Sequence, residues 1–470
     1  MSSTGISSLR QLANIINSAI DAIENAYSAA NVPFPSLDAA HFNSTDPAEA
    51  LLQDSIVSNA TLNIIAAASQ LSATVSSPVV FASNAAQMFN VSSCLGAASG
   101  LNVVELLREA GPEGLHAKDI AAFSKNDPTF IARMLRLLAT HNIFREVKPN
   151  VFANNRISAA LDKGKPSSAL YEKRAERLVG TNGTTAFLEL VTDEIFKSMA
   201  YLTETLLDPK DGELPFNRAF GTDQLMFDWL HRPENAWRLQ RFGLGMAGTA
   251  ATEPKDALFT GFEWSSLPAG SVLVDVGGGI GNTAMTIAQM NPSLRVVVQD
   301  LEHQVAQGKP HWEQNFPAHV KNQMVEFQGI DFFGPQPVKN ASVFMVRYVL
   351  HNWNNARATQ LLRRLREAAQ PTTRLVVIER IVSLASPVSS AEEEAIPGAA
   401  RPSAPAPLLA NWGVAKTEAY FYDMAVYAMV GSGQRTLGDF VDLFTEGGWK
   451  LEKVYHCKGS QLSHIIGVPI

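Results

Sequence analysis

Val274-Asp-Val-Gly277-Gly-Gly279-Ile-Gly281 decides how the C-terminal half of this chain folds. Val272-Leu-Val-Asp-Val276 is an apolar run with strand character, and an acid sits near its end. Three glycines at alternate positions follow and open a helical pattern, Thr283–Met290. Glycine lets the backbone turn sharply and lets a ligand approach where a side chain would stand in the way. The nicotinamide fingerprint Gly-x-Gly-x-x-Gly does not fit, because from Gly277 its third glycine falls on Asn282.

Outward from this turn, strands and helices alternate. Leu294–Val298, Ala341–Val346 and Arg374–Ile378 read as further apolar strands, with a helical pattern at Ala356–Ala369. That alternation predicts an α/β fold with a parallel sheet covered on both faces. Trp449–Tyr455 and Ser463–Val468 read as a closing hairpin. Before that hairpin, residues 384–408 are rich in Pro, Ala and Ser and carry Glu392-Glu-Glu, which predicts a flexible surface insertion.

The N-terminal half is helical. Leu9, Leu12, Ile16, Ile20, Ile23 and Tyr27 make one apolar helix face that ends before Pro33-Phe-Pro35. Such a stripe needs a cover, and a second subunit would supply one. A second helix is expected from Pro47, capped by Asp46, through Leu51, Ile56 and Leu62 to Ile64–Ala68. From Cys94 to Leu161 three helices precede two short strands, Ile143–Val147 and Val151-Phe152, in winged-helix order. Its third helix, opened by Asp127-Pro128 and carrying Phe130, Met134, Leu135 and Leu138, offers only Arg133, Arg136 and His141 as basic groups. That is too little for DNA on an acidic chain. Residues 165–262 are helical and rich in aromatics, among them Phe216, Phe220, Trp229 and Trp237, suited to core or to an apolar substrate pocket. The expected domains are therefore 1–93 (helical), 94–164 (winged helix), 165–262 (helical linker and pocket) and 263–470 (α/β, with 384–408 inserted).

Composition narrows the classes further. With 470 residues, 46% apolar and 18% charged, the chain is globular, and its net charge of −7 disfavours nucleic acid. Two distant cysteines, Cys94 and Cys457, give neither a disulfide framework nor a zinc site. No bound metal is expected. The N-terminus shows no secretory pattern and no run is long enough to span a membrane. The expectation is a cytoplasmic protein with no membrane partner.

The glycine turn after an acid resembles motif I of class I methyltransferases, whose ligand is the cation S-adenosylmethionine. Arg347-Tyr-Val-Leu-His351-Asn-Trp353 resembles the catalytic segment of caffeic-acid-type plant and fungal O-methyltransferases. The resemblance spans nearly the whole chain, taking in Pro215–Gly221 and Gly433-Gln-Arg-Thr436. Phe144-Arg-Glu-Val and Val338–Phe344 come closest to basidiomycete-type fungal members. It implies a Rossmann-like class I methyltransferase sheet, an N-terminal helical and winged-helix dimerisation domain, and a homodimer. By position it implies that Asp275, Gly277 and Gly279 contact the cofactor and that Asp300, followed by Leu301, holds its ribose. An acid roughly 20 residues past the glycines is placed for that task. Asp331 and Phe332 would hold the adenine, and Arg347 would lie near the cofactor. His351 would be the general base toward a phenol, bracketed by Glu379 and Gln434.

The last of these departs from the pattern. The family's His-Asp-Trp-Ser/Asp-Asp reads His351-Asn352-Trp353-Asn354-Asn355, and its second bracketing glutamate is Gln434. An amide orients an imidazole but does not neutralise imidazolium. Glu379 is then the one recognisable anionic partner, unless Asp423 reaches the base. Three functions follow: methyl transfer to an aromatic hydroxyl in secondary metabolism, the same scaffold turned to pericyclic or dehydrative chemistry, or a catalytically weakened binding subunit.

Overall fold

The computed structural model describes residues 4–254, 256–387, 395–457 and 459–470. They form two compact units, residues 1–252 with 406–408, and residues 253–405 with 409–470.

In the first unit the helix Thr4–Ala30 packs along the helix Ser55–Val75. The apolar stripe is thus partly covered by its own chain: Leu12 and Tyr27 are buried, and Tyr27 joins Ala48 and Val57 in a small core. The single helix expected from Pro47 is in fact two. A short turn, Pro47–Ala50 with Leu51–Gln53, stops at Asp54, whose carboxylate accepts the Ile56 and Val57 N–H groups and caps a new helix. A mid-pattern aspartate is as good a cap as the one that opened it. Apolar surface is left open farther along, at Ile65 and Val75 and at Val79, Val80 and Phe81 of the helix Pro78–Ala86.

The winged helix follows, built on helices Phe89–Gly100, Val103–Ala110, Ala117–Ser124 and Pro128–Thr140 with strands β1 (Leu115–His116), β2 (Arg145–Lys148) and β3 (Val151–Ala153), in sheet order β1-β3-β2. Met134, Leu135 and Leu138 are buried as expected, but Phe130 is exposed. β2 starts later than expected because Asn142 and Phe144 take left-handed backbone angles, which turns the chain and seats the Phe144 ring in the core. Arg136, one of the few basic groups on the third helix, is held by Glu146 at 2.7 Å. Farther on, Phe216 and Trp229 are core and Trp237 is exposed.

The second unit is a seven-stranded sheet. Strands β4 (Val272–Val276), β5 (Arg295–Asp300), β6 (Val325–Gly329), β7 (Val343–Arg347) and β8 (Arg374–Arg380) are parallel; β9 (Trp449–His456) and β10 (Leu462–Pro469) close it antiparallel. The order is β6-β5-β4-β7-β8-β10-β9. The central strands are buried on both faces, so they read as largely apolar runs in which the charged residues Asp275, Arg347 and Glu379 fall toward the carboxyl ends. One face packs on the helices Asn355–Ala368 and Leu437–Glu446, the other on Asn282–Met290 and Trp312. The insertion is irregular but not wholly superficial: Ala399 and Leu408 are buried, and Arg401 donates to the Ile381 carbonyl at 3.1 Å. Its Glu392–Glu394 run lies outside the described residues. Among the described residues no helix is long and apolar enough to cross a membrane, and no three His, Cys, Asp or Glu side chains group as a metal site.

Candidate active site

Because the strand order reverses between β5-β4 and β7-β8, the loops after β4 and β7 part on opposite faces and leave a crevice at their carboxyl ends. Nearly every residue singled out from the sequence lies there.

The glycine turn makes one wall. Gly277 and Gly279 have φ of 71° and 60°, a region that side-chain-bearing residues avoid. A Cβ on Gly277 would stand 2.6 Å from Val349 Cγ2, whereas one on Gly279 would meet nothing within 4 Å. The first glycine is needed for packing and the second faces open space. Asp275, 2% exposed, has one carboxylate oxygen with no donor among the described residues. Burial, opposed by Arg347 and reinforced by Asp300, pushes its carboxyl up to about 7.

Asp300 is not as free as the sequence implies. Its two oxygens accept the N–H groups of Gly279 (2.8 Å) and Leu301 (2.7 Å), tying the end of β5 to the turn. Each oxygen keeps a lone pair for a further donor. Leu301 is 54% exposed at the start of the helix Glu302–Asn315. Asp331 is exposed after β6, its carboxylate taken up by the Phe333 N–H at 2.9 Å, while the Phe332 ring approaches Gly277. Arg347, last residue of β7, donates to Thr283 Oγ1 at 3.1 Å. A buried carboxylate with one oxygen unpaired among the described residues, beside a turn that opens onto space, fits a cationic ligand.

The second wall is the turn after β7. Tyr348 takes a left-handed φ of 55°, and Leu350–Asn352 form one tight helical turn carrying His351. Glu379, at the end of β8, does not touch the imidazole. Its Oε1 accepts the backbone N–H groups of Val349 (3.0 Å) and His351 (3.2 Å), so it fixes the turn rather than the ring. Burial pushes this carboxyl up to about 7, against Arg435 and those N–H groups. The group that does meet the ring is Gln434, whose amide lies 3.0 Å from His351 Nδ1. Asp423 reaches Gln434 and not the base, accepting its N–H at 2.7 Å.

The three asparagines are also accounted for by geometry. Asn352 donates to the Tyr348 carbonyl at 3.3 Å, Asn354 caps the following helix through the Arg357 N–H, and Asn355 accepts from Arg435 at 3.0 Å. None orients the imidazole. Arg435 spans the turn, donating also to the carbonyls of Leu350 (2.9 Å) and Trp353 (2.7 Å). Burial first, then the charges of Arg380 and Arg435, hold His351 down to about 4, with the Tyr348 carbonyl opposing them. Arg380 and Arg435 went unread in the sequence, although each adjoins a residue that was singled out.

Comparison with known proteins identifies the family. Residues 83–163 match an O-methyltransferase dimerisation domain and residues 199–396 an O-methyltransferase domain. An O-methyltransferase of Armillaria gallica is 40% identical over 99% of this chain and 100% of its own length. A 4-O-methyltransferase of Phanerochaete chrysosporium is 35% identical over 98% and 99%. The chain belongs to the O-methyltransferase family. It is an S-adenosylmethionine-dependent enzyme of the fungal type, with the Rossmann-like fold and N-terminal dimerisation domain that the sequence implied. A solved structure titled a pericyclic reaction enzyme superposes with a TM-score of 0.62 at 17% identity, covering 87% of this chain and 94% of its own. At that distance the likeness shows the fold alone.

Proposed function

We propose that this O-methyltransferase methylates a hydroxyl of an aromatic small molecule, with His351 as the group that meets the acceptor oxygen. The observation that carries the reading is the juxtaposition of the two turns. Val349, two residues before His351, packs directly on Gly277 of the cofactor-side turn, so the base and the cation site face one crevice.

Bound S-adenosylmethionine supplies an electrophilic methyl on a sulfonium sulfur. Asp275 would meet its cationic end, Asp300 and the Gly279 backbone its sugar, and Asp331 and Phe332 its base, with Leu301 at the rim and Arg347 alongside. His351 is neutral at neutral pH, hence free to accept a proton. Its work is positional as well as chemical, since orientation alone is worth several orders of magnitude in effective concentration. Glu379 and Arg435 hold the backbone that carries it, and Gln434 sets the ring. Here the Gln434 Nε2 stands at His351 Nδ1 and its Oε1 has no partner among the described residues, an arrangement that suits a proton on the ring Nε2. As a base through Nε2 the ring needs its proton on Nδ1, with the amide turned the other way so that its oxygen accepts. A carboxylate there would enforce this tautomer; the amide permits both.

An imidazole with no anionic partner also suits chemistry that transfers no methyl. Incubation with labelled S-adenosylmethionine and a phenolic panel separates the two. Label in a methyl ether, lost in His351→Ala, is expected. Cofactor binding with no transfer to any phenol would overturn the reading.

Assembly as a homodimer through the N-terminal helices is part of the same proposal. Val79, Val80 and Phe81 lie exposed on one short helix beside the matched dimerisation domain, and an apolar surface of this kind is normally covered.

A further inference from the structure

The surroundings of His351 have the wrong sign for a strong base. A phenol with a pKa of about 10 and an imidazole held to about 4 are separated by some six units. Full proton transfer between them would be about a millionfold uphill. The geometry shows why. The groups around this turn are Tyr348 from the turn itself, Glu379 and Arg380 from β8 and Arg435 beside Gln434, with Tyr422 against Arg380 and Asp423 against the Gln434 N–H one contact farther out, both from the helix Thr417–Val430. Tyr348 and Tyr422 are held neutral. Glu379 and Asp423 are committed to backbone N–H groups. Glu253 lies beyond, at the Tyr348 hydroxyl. The two guanidinium groups therefore stand beside a Glu379 carboxyl that burial pushes up to about 7 and so leaves only partly charged at neutral pH.

Neither has a carboxylate within ion-pair distance among the described residues. Arg435, 4% exposed, is bound by carbonyls and the Asn355 amide. Arg380, 9% exposed, stacks 4.1 Å from the Tyr422 ring centre and 5.8 Å from that of Tyr348, and its Nε has no partner among the described residues. The Tyr348 ring in turn lies 5.6 Å from His351. Arginine stays charged in proteins. Arg435 has the Glu379 carboxyl as its principal opposite charge, whereas Arg380 has ring contacts and the Tyr422 hydroxyl. A buried charge without a close counter-ion is costly. An anion entering the crevice would relieve that cost.

We infer that the acceptor is bound as an oxyanion, with Arg380 and Arg435 supplying the positive field that holds it. The substrate class is therefore acidic hydroxyls, phenols or enols carrying an electron-withdrawing group such as a carbonyl or nitro substituent. The proton leaves to water as the acceptor ionises. The oxygen lone pair then forms the O–CH₃ bond while the S–CH₃ bonding pair stays on sulfur. His351 donates a hydrogen bond to the oxyanion and aligns it. The inference rests on the methyl-transfer reading for its consequence but not for its test.

The test is the ionisation state of a bound indicator phenol. Enzyme loaded with S-adenosylhomocysteine is titrated with 4-nitrophenol and with hydroxybenzaldehydes, whose oxyanions absorb at longer wavelength than the neutral forms. The bound phenol should ionise about one pKa unit or more below the free one. Arg380→Gln should remove most of that shift and Arg380→Lys should keep part, with affinity for S-adenosylhomocysteine unchanged. A phenol that binds neutral, a shift that survives Arg380→Gln, or no binding of any indicator phenol at millimolar concentration would overturn the inference. If Arg380→Gln does not fold, the wild type alone decides: kcat/KM at fixed pH should climb with acceptor acidity, and a flat or falling series overturns it. Oxyanion binding without label transfer would sink the methyl-transfer reading and leave this inference standing; transfer to phenols bound neutral would do the reverse.

Discussion

Replacing Gln434 with glutamate puts a carboxylate where an amide now stands 3.0 Å from His351 Nδ1. An opposite charge at that range moves a titrating group by about one to three units. From about 4, the imidazole should rise to between roughly 5 and 7. At 1.36 kcal/mol per unit, that is roughly 1.4 to 4 kcal/mol of imidazolium stabilisation. The lower half of that range is expected, because Arg380 and Arg435 share the new anion. Two consequences of opposite sign follow. A stronger base with its tautomer fixed helps a weakly acidic phenol lose its proton, by at most about tenfold in rate per unit gained. The same anion repels an acceptor that arrives ionised. Gln434→Glu should therefore raise kcat/KM for unsubstituted phenols and lower it severalfold for nitrophenols. Steady-state rates on the two acceptor types read the effect on catalysis. An NMR titration of His351 reads the cause. A variant in which His351 still titrates near 4 and neither acceptor type changes would refute the idea that the Gln434 contact controls the base.

Asp275 should release a proton when S-adenosylmethionine binds near pH 6.5, since a cation favours the carboxylate of a group otherwise near 7. Calorimetry in buffers of different ionisation enthalpy measures this, and Asp275→Asn should abolish the release and weaken binding. His464, buried and held near 4, is lowered from about 6.5 in the unfolded chain. The stability of its neutral form is thus complete above pH 6.5 and lost as pH falls toward 4. His464→Asn, which can still accept the Phe262 N–H, should flatten the fall of Tm across that window. Phe81→Glu should shift the protein toward monomer in light scattering without lowering Tm by more than a few degrees, because the ring is exposed in the isolated subunit.

The sheet was legible because both of its faces are buried. Val272–Val276 is broken only by Asp275, and Leu375–Ile378 by nothing, so neither suggests another element. Glycines with left-handed backbone angles announced the turn equally plainly, since a turn of that shape leaves little choice of residue. What stayed hidden were contacts between distant segments. Nothing local in Ile378-Glu-Arg380 says that the glutamate will serve two backbone N–H groups while its neighbour faces the base. The break at Asp54 was missed for a different reason. Apolar spacing continues across it, and a cap shows only in the backbone angle it imposes. The asparagines after His351 read as lost acids, yet each has its own bond to the turn.

Tyr348 joins two halves of the crevice in a way that its place in the chain does not suggest. Its left-handed backbone costs about 1–2 kcal/mol relative to an ordinary conformation, and a glycine would avoid that. A glycine would also leave a hole beside two like charges. The ring centre stands 4.8 Å from the Arg347 guanidinium and 5.8 Å from that of Arg380. Both cations are drawn to the same π system, which holds them in place. The ring thus works as a shared anchor, with Arg347 turned to the helix behind the glycine turn and the Arg380 charge felt at the imidazole. Each half keeps its own electrostatic sign: an acid waits for a cation in one, and arginines wait for an anion in the other.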